Sequence, residues 1–158
     1  MRSVTRFFCA IVLLSPFVAI RANAAPACNS PALTNERLDV VTIQHLEKAW
    51  SIAYLKGDLD FERCLLTADF TEIMRSGEVK VLSDELDFAR KNVGKNLPIP
   101  ELPQGTVFIH GNVAVAYGQS SSTAPDGSQR KTCYADYYIW KKGAWHAFFA
   151  QQTAVNPK

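Results

Sequence analysis

From Thr106 to Val155 the sequence alternates with period two, and three glycine-bearing pairs, Gly111-Asn112, Asp126-Gly127 and Lys142-Gly143, cut it into four runs. Glycine supplies the backbone that a tight hairpin needs. The runs Thr106–His110, Val113–Thr123, Lys131–Trp140 and Trp145–Val155 therefore predict a four-strand antiparallel meander. A sheet of this kind must bury at least one face, so the preceding residues must supply its cover.

Those residues change to the helical period. Ile43, Leu46, Trp50, Ala53, Tyr54 and Gly57 fall within about 100° of one another at 3.6 residues per turn, which predicts one long helix over Asn35–Lys56. Thr34 or Asn35 caps it, Glu36 suits its first turn, and Gly57 suits a left-handed closing residue. A shorter helix is expected over Asp60–Leu66. A small hairpin follows, Phe70–Met74 and Val79–Leu82 around Arg75-Ser76-Gly77-Glu78. Ser83 then caps a third helix over Asp84–Asn92. Gly94–Pro103, with Pro98, Pro100 and Pro103, is an extended connector. The order predicts an α+β fold, with three helices on one face of a curved antiparallel sheet.

The first 24 residues read as an address. Arg2 and Arg6 open a mostly apolar stretch from Phe7 to Ile20, and Ala22-Asn23-Ala24 is a small–x–small cleavage pattern. The stretch is shorter than the ~20 residues of a membrane span. A lipid anchor on Cys28 is disfavoured by its distance from the apolar run. The expected product is secreted or periplasmic and cut after Ala24, with 25–34 as a mobile lead-in and 35–155 as one domain. The leader carries three arginines and no acid, so the formal charge falls from +2 to −1, with 14 basic against 15 acidic residues. Nucleic acid is not an expected partner. In an oxidising compartment, Cys28, Cys64 and Cys133 allow one bridge. Cys28–Cys64 is favoured, and Cys64–Cys133 is the alternative.

Both faces of the late strands are apolar. Tyr134, Asp136, Tyr138 and Trp140 share one face of their strand, with Ala135, Tyr137 and Ile139 on the other. Trp145, Ala147, Phe149 and Gln151 likewise share a face. Helices can cover one side, and a second copy of the chain is the simplest cover for the other.

Several segments carry a family likeness in order and spacing. They are Leu46-Glu47-Lys48-Ala49-Trp50, Lys56-Gly57-Asp58, Leu65-Leu66-Thr67-Ala68-Asp69-Phe70 and Ser76-Gly77. Later come Gly111-Asn112-Val113-Ala114-Val115, Trp140-Lys141-Lys142-Gly143-Ala144-Trp145, and Gln151. Across 35–155 the chain resembles the nuclear transport factor 2-like superfamily, and within it the secreted SnoaL-like, domain-of-unknown-function 4440 branch. The resemblance implies a cone-shaped fold, a strongly bent sheet, an internal pocket and frequent homodimers. It does not imply one chemistry.

A pocket between the first helix and the sheet would draw on Trp50, Tyr54, Tyr117, Tyr134, Trp140 and Gln151, or on Tyr137 and its neighbours if the other face points inward. Asp136 among tyrosines would be desolvated there, with a raised pKa. It is the candidate general acid or base, with Tyr54 or Tyr138 beside it. Superfamily isomerases pair a first-helix tyrosine with strand carboxylates, to which Tyr54 and Asp136 are loosely analogous. His45, His110 and His146 lack metal-site spacing, and no phosphate loop or nucleophile motif occurs. Neither metal nor cofactor is expected. The sequence favours binding of a small apolar or aromatic molecule, with a cofactor-independent isomerase, dehydratase or cyclase as the alternative.

Overall fold

A computed structural model describes residues 28, 33, 36–99, 105–123 and 126–155. The leader, most of the lead-in, the caps expected at Thr34 and Asn35, and Pro100 and Pro103 of the connector lie outside the described residues. The elements run α1 (Val40–Lys56), α2 (Leu59–Leu65), β1 (Leu66–Ile73), β2 (Val79–Val81), α3 (Leu82–Arg90), β3 (Thr106–His110), β4 (Val113–Thr123), β5 (Gln129–Lys141) and β6 (Ala144–Val155). Three helices pack on one six-stranded sheet of order β2-β1-β6-β5-β4-β3.

Helix α1 starts later than the pattern predicts because residues before it are used elsewhere. The Glu36 carboxylate accepts from the Trp145 backbone N–H. The Arg37 carbonyl accepts from the Trp145 indole at 2.8 Å. Asp39 then caps the helix, its carboxylate accepting from Thr42 N at 2.8 Å. The helix ends at Gly57, with φ of 71° and Asp58 N–H closing back onto the Ala53 carbonyl at 2.9 Å. A Cβ at Gly57 would lie 2.7 Å from the Val93 backbone nitrogen, so both conformation and space require glycine.

The sheet is antiparallel at every pair but one. β1 runs parallel to β6, where the sequence led us to expect an antiparallel sheet throughout. Alternation within a strand reports its faces and is silent about its neighbours, so this pairing left no mark in the pattern. A bulge interrupts β6: Tyr138 faces Ala147 and Tyr137 faces Phe149, leaving Phe148 as the extra residue.

The core lies between α1, α2 and the inner face of the sheet. Ile43, Leu46, Phe61, Leu65, Phe70, Tyr138 and Trp145 are its large members. Cys28 is bonded to Cys64 with 5.3 Å between Cα atoms, and Cys133 is free. Among the described residues no helix is long and apolar enough to cross a membrane.

Candidate functional site

The inner faces of β4, β5 and β6 change character along their length. On β5 the inward residues run Trp140, Tyr138, Asp136, Tyr134, Thr132. On β4 they run Ala114, Ala116, Gly118, Ser120, and on β6 Trp145, Ala147, Ala150, Gln152. The apolar ends form the core, and the polar ends floor a cleft under α1. Helix spacing places Glu47, Trp50, Ser51 and Tyr54 on the side of α1 that roofs it.

The cleft has two lobes, of about 480 and 300 Å³. Glu47, Ser51, Asp136 and Gln152 border both. The larger adds Tyr134, Thr132 and Ser120, and the smaller adds Trp50, Tyr54, Glu72, Lys80 and Glu85. Tyr134 reaches over two glycines. A Cβ at Gly118 would lie 2.9 Å from its hydroxyl, and one at Gly105 would lie 2.5 Å from it.

Carboxyl groups dominate the electrostatics. The fully buried Tyr138 hydroxyl donates to Glu47. Asp136 keeps an edge open to the cleft but is otherwise enclosed. Burial, the neighbouring Glu47 and Glu72 charges, and a hydrogen bond to Glu47 hold its pKa well above the usual carboxylate range. Glu47 is also raised by burial, against the opposing hydrogen bonds from Tyr138 and Asp136. Tyr138 thus donates to Glu47, and Asp136, whose raised pKa favours its neutral form, lies beside the same carboxyl.

A second group lies in the smaller lobe. Gln152 Nε2 donates to Glu72 at 2.7 Å. Glu85 is pushed up to about 8, by burial first and then by the Glu72 charge and a shared hydrogen bond. Glu62 on α2 is wholly buried and raised to about 8, chiefly by burial. The Trp50 indole is close enough to oppose that shift, yet neither Glu62 oxygen completes a hydrogen bond. Tyr54 stacks on Phe88 with centroids 5.2 Å apart, and burial raises its pKa.

The expected site residues divide accordingly. Trp50, Tyr54, Tyr134 and Asp136 border the cleft. Tyr138 lies beneath it and reaches it through Glu47. Trp140 does not line either lobe, being packed edge-on against Trp145 at 5.3 Å between centroids in the core. Tyr117 and Gln151 must be corrected, because both point from the outer face and are exposed. Tyr117 alternates out of phase with the buried Ala114 and Ala116. Gln151 is displaced by the Phe148 bulge, which turns Phe149 and Gln151 outward and brings Ala150 and Gln152 inward. Tyr137 also lies outward, edge-on to Phe149 at 5.5 Å.

Sequence reasoning missed Glu47, Ser51, Glu62, Glu72, Glu85 and Gln152. Two left usable signals: Glu47 precedes Trp50 and Tyr54 by three and seven residues, and Glu72 alternates with Phe70. His45 and His110 are exposed, and His146 Nδ1 lies 3.0 Å from the Cys64 carbonyl. Among the described residues, no group of three or more His, Cys, Asp or Glu is placed to hold a metal ion.

No family model and no curated protein matches the sequence. Solved structures do match in shape. A protein from Cytophaga hutchinsonii described as NTF2-like has a TM-score of 0.61 at 18% identity, covering 73% of this chain and 97% of its own. An NTF2-like protein of unknown function in nutrient uptake from Rhodospirillum rubrum has a TM-score of 0.58 at 20% identity, covering 72% and 98%. One from Novosphingobium aromaticivorans, described as NTF2-like with a cystatin-like fold, has a TM-score of 0.59 at 14% identity, covering 73% and 81%.

Proposed function

We propose that this chain, which has the nuclear transport factor 2-like, cystatin-like fold, is a secreted or periplasmic domain that binds a small organic molecule in the cleft under α1. The supporting observation is the preformed two-lobed cleft, in which Trp50, Tyr54 and Tyr134 supply aromatic surface and a few polar groups converge. The Cys28–Cys64 bond suits an oxidising compartment. The family-like segments noted above support a likeness to the SnoaL-like branch, and Ala22-Asn23-Ala24 supports cleavage after Ala24. The purely apolar ligand suggested by the aromatic sequence fits less well than one with polar groups, because carboxyls border both lobes.

Ser51 stands where the lobes meet, so Ser51→Trp should block the cleft. In a thermal-shift and NMR screen of small aromatic and polar compounds, binders should weaken at least about tenfold in Ser51→Trp. Binders indifferent to that change, or no binders at all, would refute the proposal.

A cofactor-independent isomerase or lyase is the second reading, favoured by the Tyr138–Glu47–Asp136 chain. Asp136 would donate a proton to a developing oxyanion while Glu47 removes one from the adjacent carbon. In deuterated water the protein would then exchange that carbon-bound hydrogen in a bound ligand, and Asp136→Asn would abolish the exchange. Binding without exchange in the unmodified protein leaves the first reading alone.

A homodimer through the outer face belongs to the same proposal. Phe108 and Tyr117 are 61% and 48% exposed there, next to the Tyr137–Phe149 pair. Light scattering should give twice the chain mass, and Tyr117→Lys should give the monomer. A monomer in the unmodified protein would refute this part.

A further inference from the structure

We propose that the cleft takes an organic cation, a protonated amine carried on a small apolar or aromatic body. This rests on the cleft being a ligand site and names the chemistry of what enters it.

The acids of the cleft have no salt-bridge partner among the described residues, although the Lys80 charge is near enough to oppose the rise of the Glu85 pKa. The charged and titratable groups facing the cleft are Glu47, Lys48 and Tyr54 from α1, Glu72 from β1, Lys80 from β2, Glu85 from α3, and Tyr134 and Asp136 from β5. Tyr138 lies below Glu47, Glu62 stands beside Trp50, and Asp84 is near enough to act on Glu85. Strands β3, β4 and β6 contribute only neutral lining, through Val107, Ser120, Ala150 and Gln152. Among the described residues the salt bridges are Arg63–Asp60 and Arg90–Asp87, both on exposed helix surface. Neither lysine at the cleft reaches a carboxylate, and the Lys80 ammonium instead lies over the Phe88 ring, 5.0 Å from its centroid.

Buried carboxyls without cations are costly to a fold, and proteins ordinarily pair them. Here the pairing is carboxyl to carboxyl, Asp136 with Glu47 and Glu85 with Glu72. Glu62 is an independent sign of the same excess. It is wholly buried beside the smaller lobe's Trp50 wall, with both oxygens unpartnered. An incoming ammonium would supply three donors and one positive charge to such pairs. Trp50 and Tyr54 would supply the aromatic surface a cation favours. A metal ion is a poorer fit, because the described carboxyls do not cluster as ligands. An anion would meet one lysine in each lobe but more acids than lysines overall, through Glu47, Asp136, Glu72 and Glu85.

The proton balance follows. A carboxyl pair holding one proton releases it when the ammonium takes its place, so binding strengthens as pH rises and expels up to one proton per amine.

The test uses probes of matched shape and different charge on the full-length mature protein: benzylamine, benzyl alcohol and benzoate, with the phenethyl series beside them. By calorimetry the amines should bind at least about tenfold tighter than the alcohols, and the carboxylates should not bind. Heats measured in two buffers of different ionisation enthalpy should report proton release. Glu47→Gln and Glu85→Gln together should remove most of the preference of amine over alcohol. Equal or tighter binding of alcohol or carboxylate, amine binding without proton release, or no amine binding would overturn the proposal. If neutral probes bind and Ser51→Trp blocks them, the cleft remains a ligand site and the cationic ligand alone is lost. The charge series in unmodified protein stands even if the double variant folds poorly.

Discussion

Between pH 5 and pH 8 the melting temperature of the ligand-free protein falls by roughly 10 °C. The cause is the set of interior acids. Glu62 and Glu85 are each pushed up to about 8 from 4.5, with burial as the first cause. Glu47 and Asp136 move in the same direction. A carboxyl that holds its proton more tightly when folded contributes most below its unfolded pKa. That contribution is lost as pH rises through the folded value, here between about 4.5 and 8. Glu62 alone contributes at most about 5 kcal/mol across that window, and the less enclosed Glu85 contributes less. Asp39 and Asp126 are lowered, chiefly by accepting hydrogen bonds from Thr42 and Ser128 respectively, and act only in more acid solution. Differential scanning calorimetry of the unmodified protein and Glu62→Gln decides the matter. The amide should flatten the slope and raise the melting temperature at pH 8. A flat or rising profile in the unmodified protein would mean that Glu62 is ionised inside the fold.

Breaking the Cys28–Cys64 bond costs about 4 kcal/mol, by the chain-entropy relation for a closed loop of this size. The bond spans a sequence separation of 36 and ties the lead-in to the last turn of α2. For a chain of this length, that loss lowers the melting temperature by roughly 10–15 °C. Reduction and Cys28→Ser should give the same drop, whereas Cys133→Ser should change little, because that thiol is free on β5. If Cys133→Ser rather than Cys28→Ser removed the bond from the mass spectrum, the alternative pairing would hold.

The period-two runs and glycine pairs located β3 to β6 within two residues of their observed ends, because hairpin turns impose a local chemical demand. The third helix was legible as an element, but its start at Leu82 was not. Asp84 accepts from Val81 N–H and so begins the helix before the expected Ser83 cap. The inward face of β5 could not be chosen, since Tyr137 and Ile139 are as apolar as Tyr138 and Trp140. Gln151 was misplaced for a different reason. Alternation carries no trace of an extra residue, so the count slips by one after Phe148. Glu47 escaped notice because one carboxylate on a long helix ordinarily marks a solvated face. Its role appears only once Asp136 and Tyr138 arrive from ninety residues away.

The parallel pairing of β1 with β6 also sets an order of events during synthesis. The last described strand is an interior one, seated between β1 and β5. A nascent chain ending before Ala144 carries β1 to β5 but leaves β1 and β5 with open edges, and Gln152 is not yet present to meet Glu72. Such edges invite pairing with other chains. Those edges stay open until the 12 residues of β6 emerge, and the cleft is finished in the same step that closes the sheet.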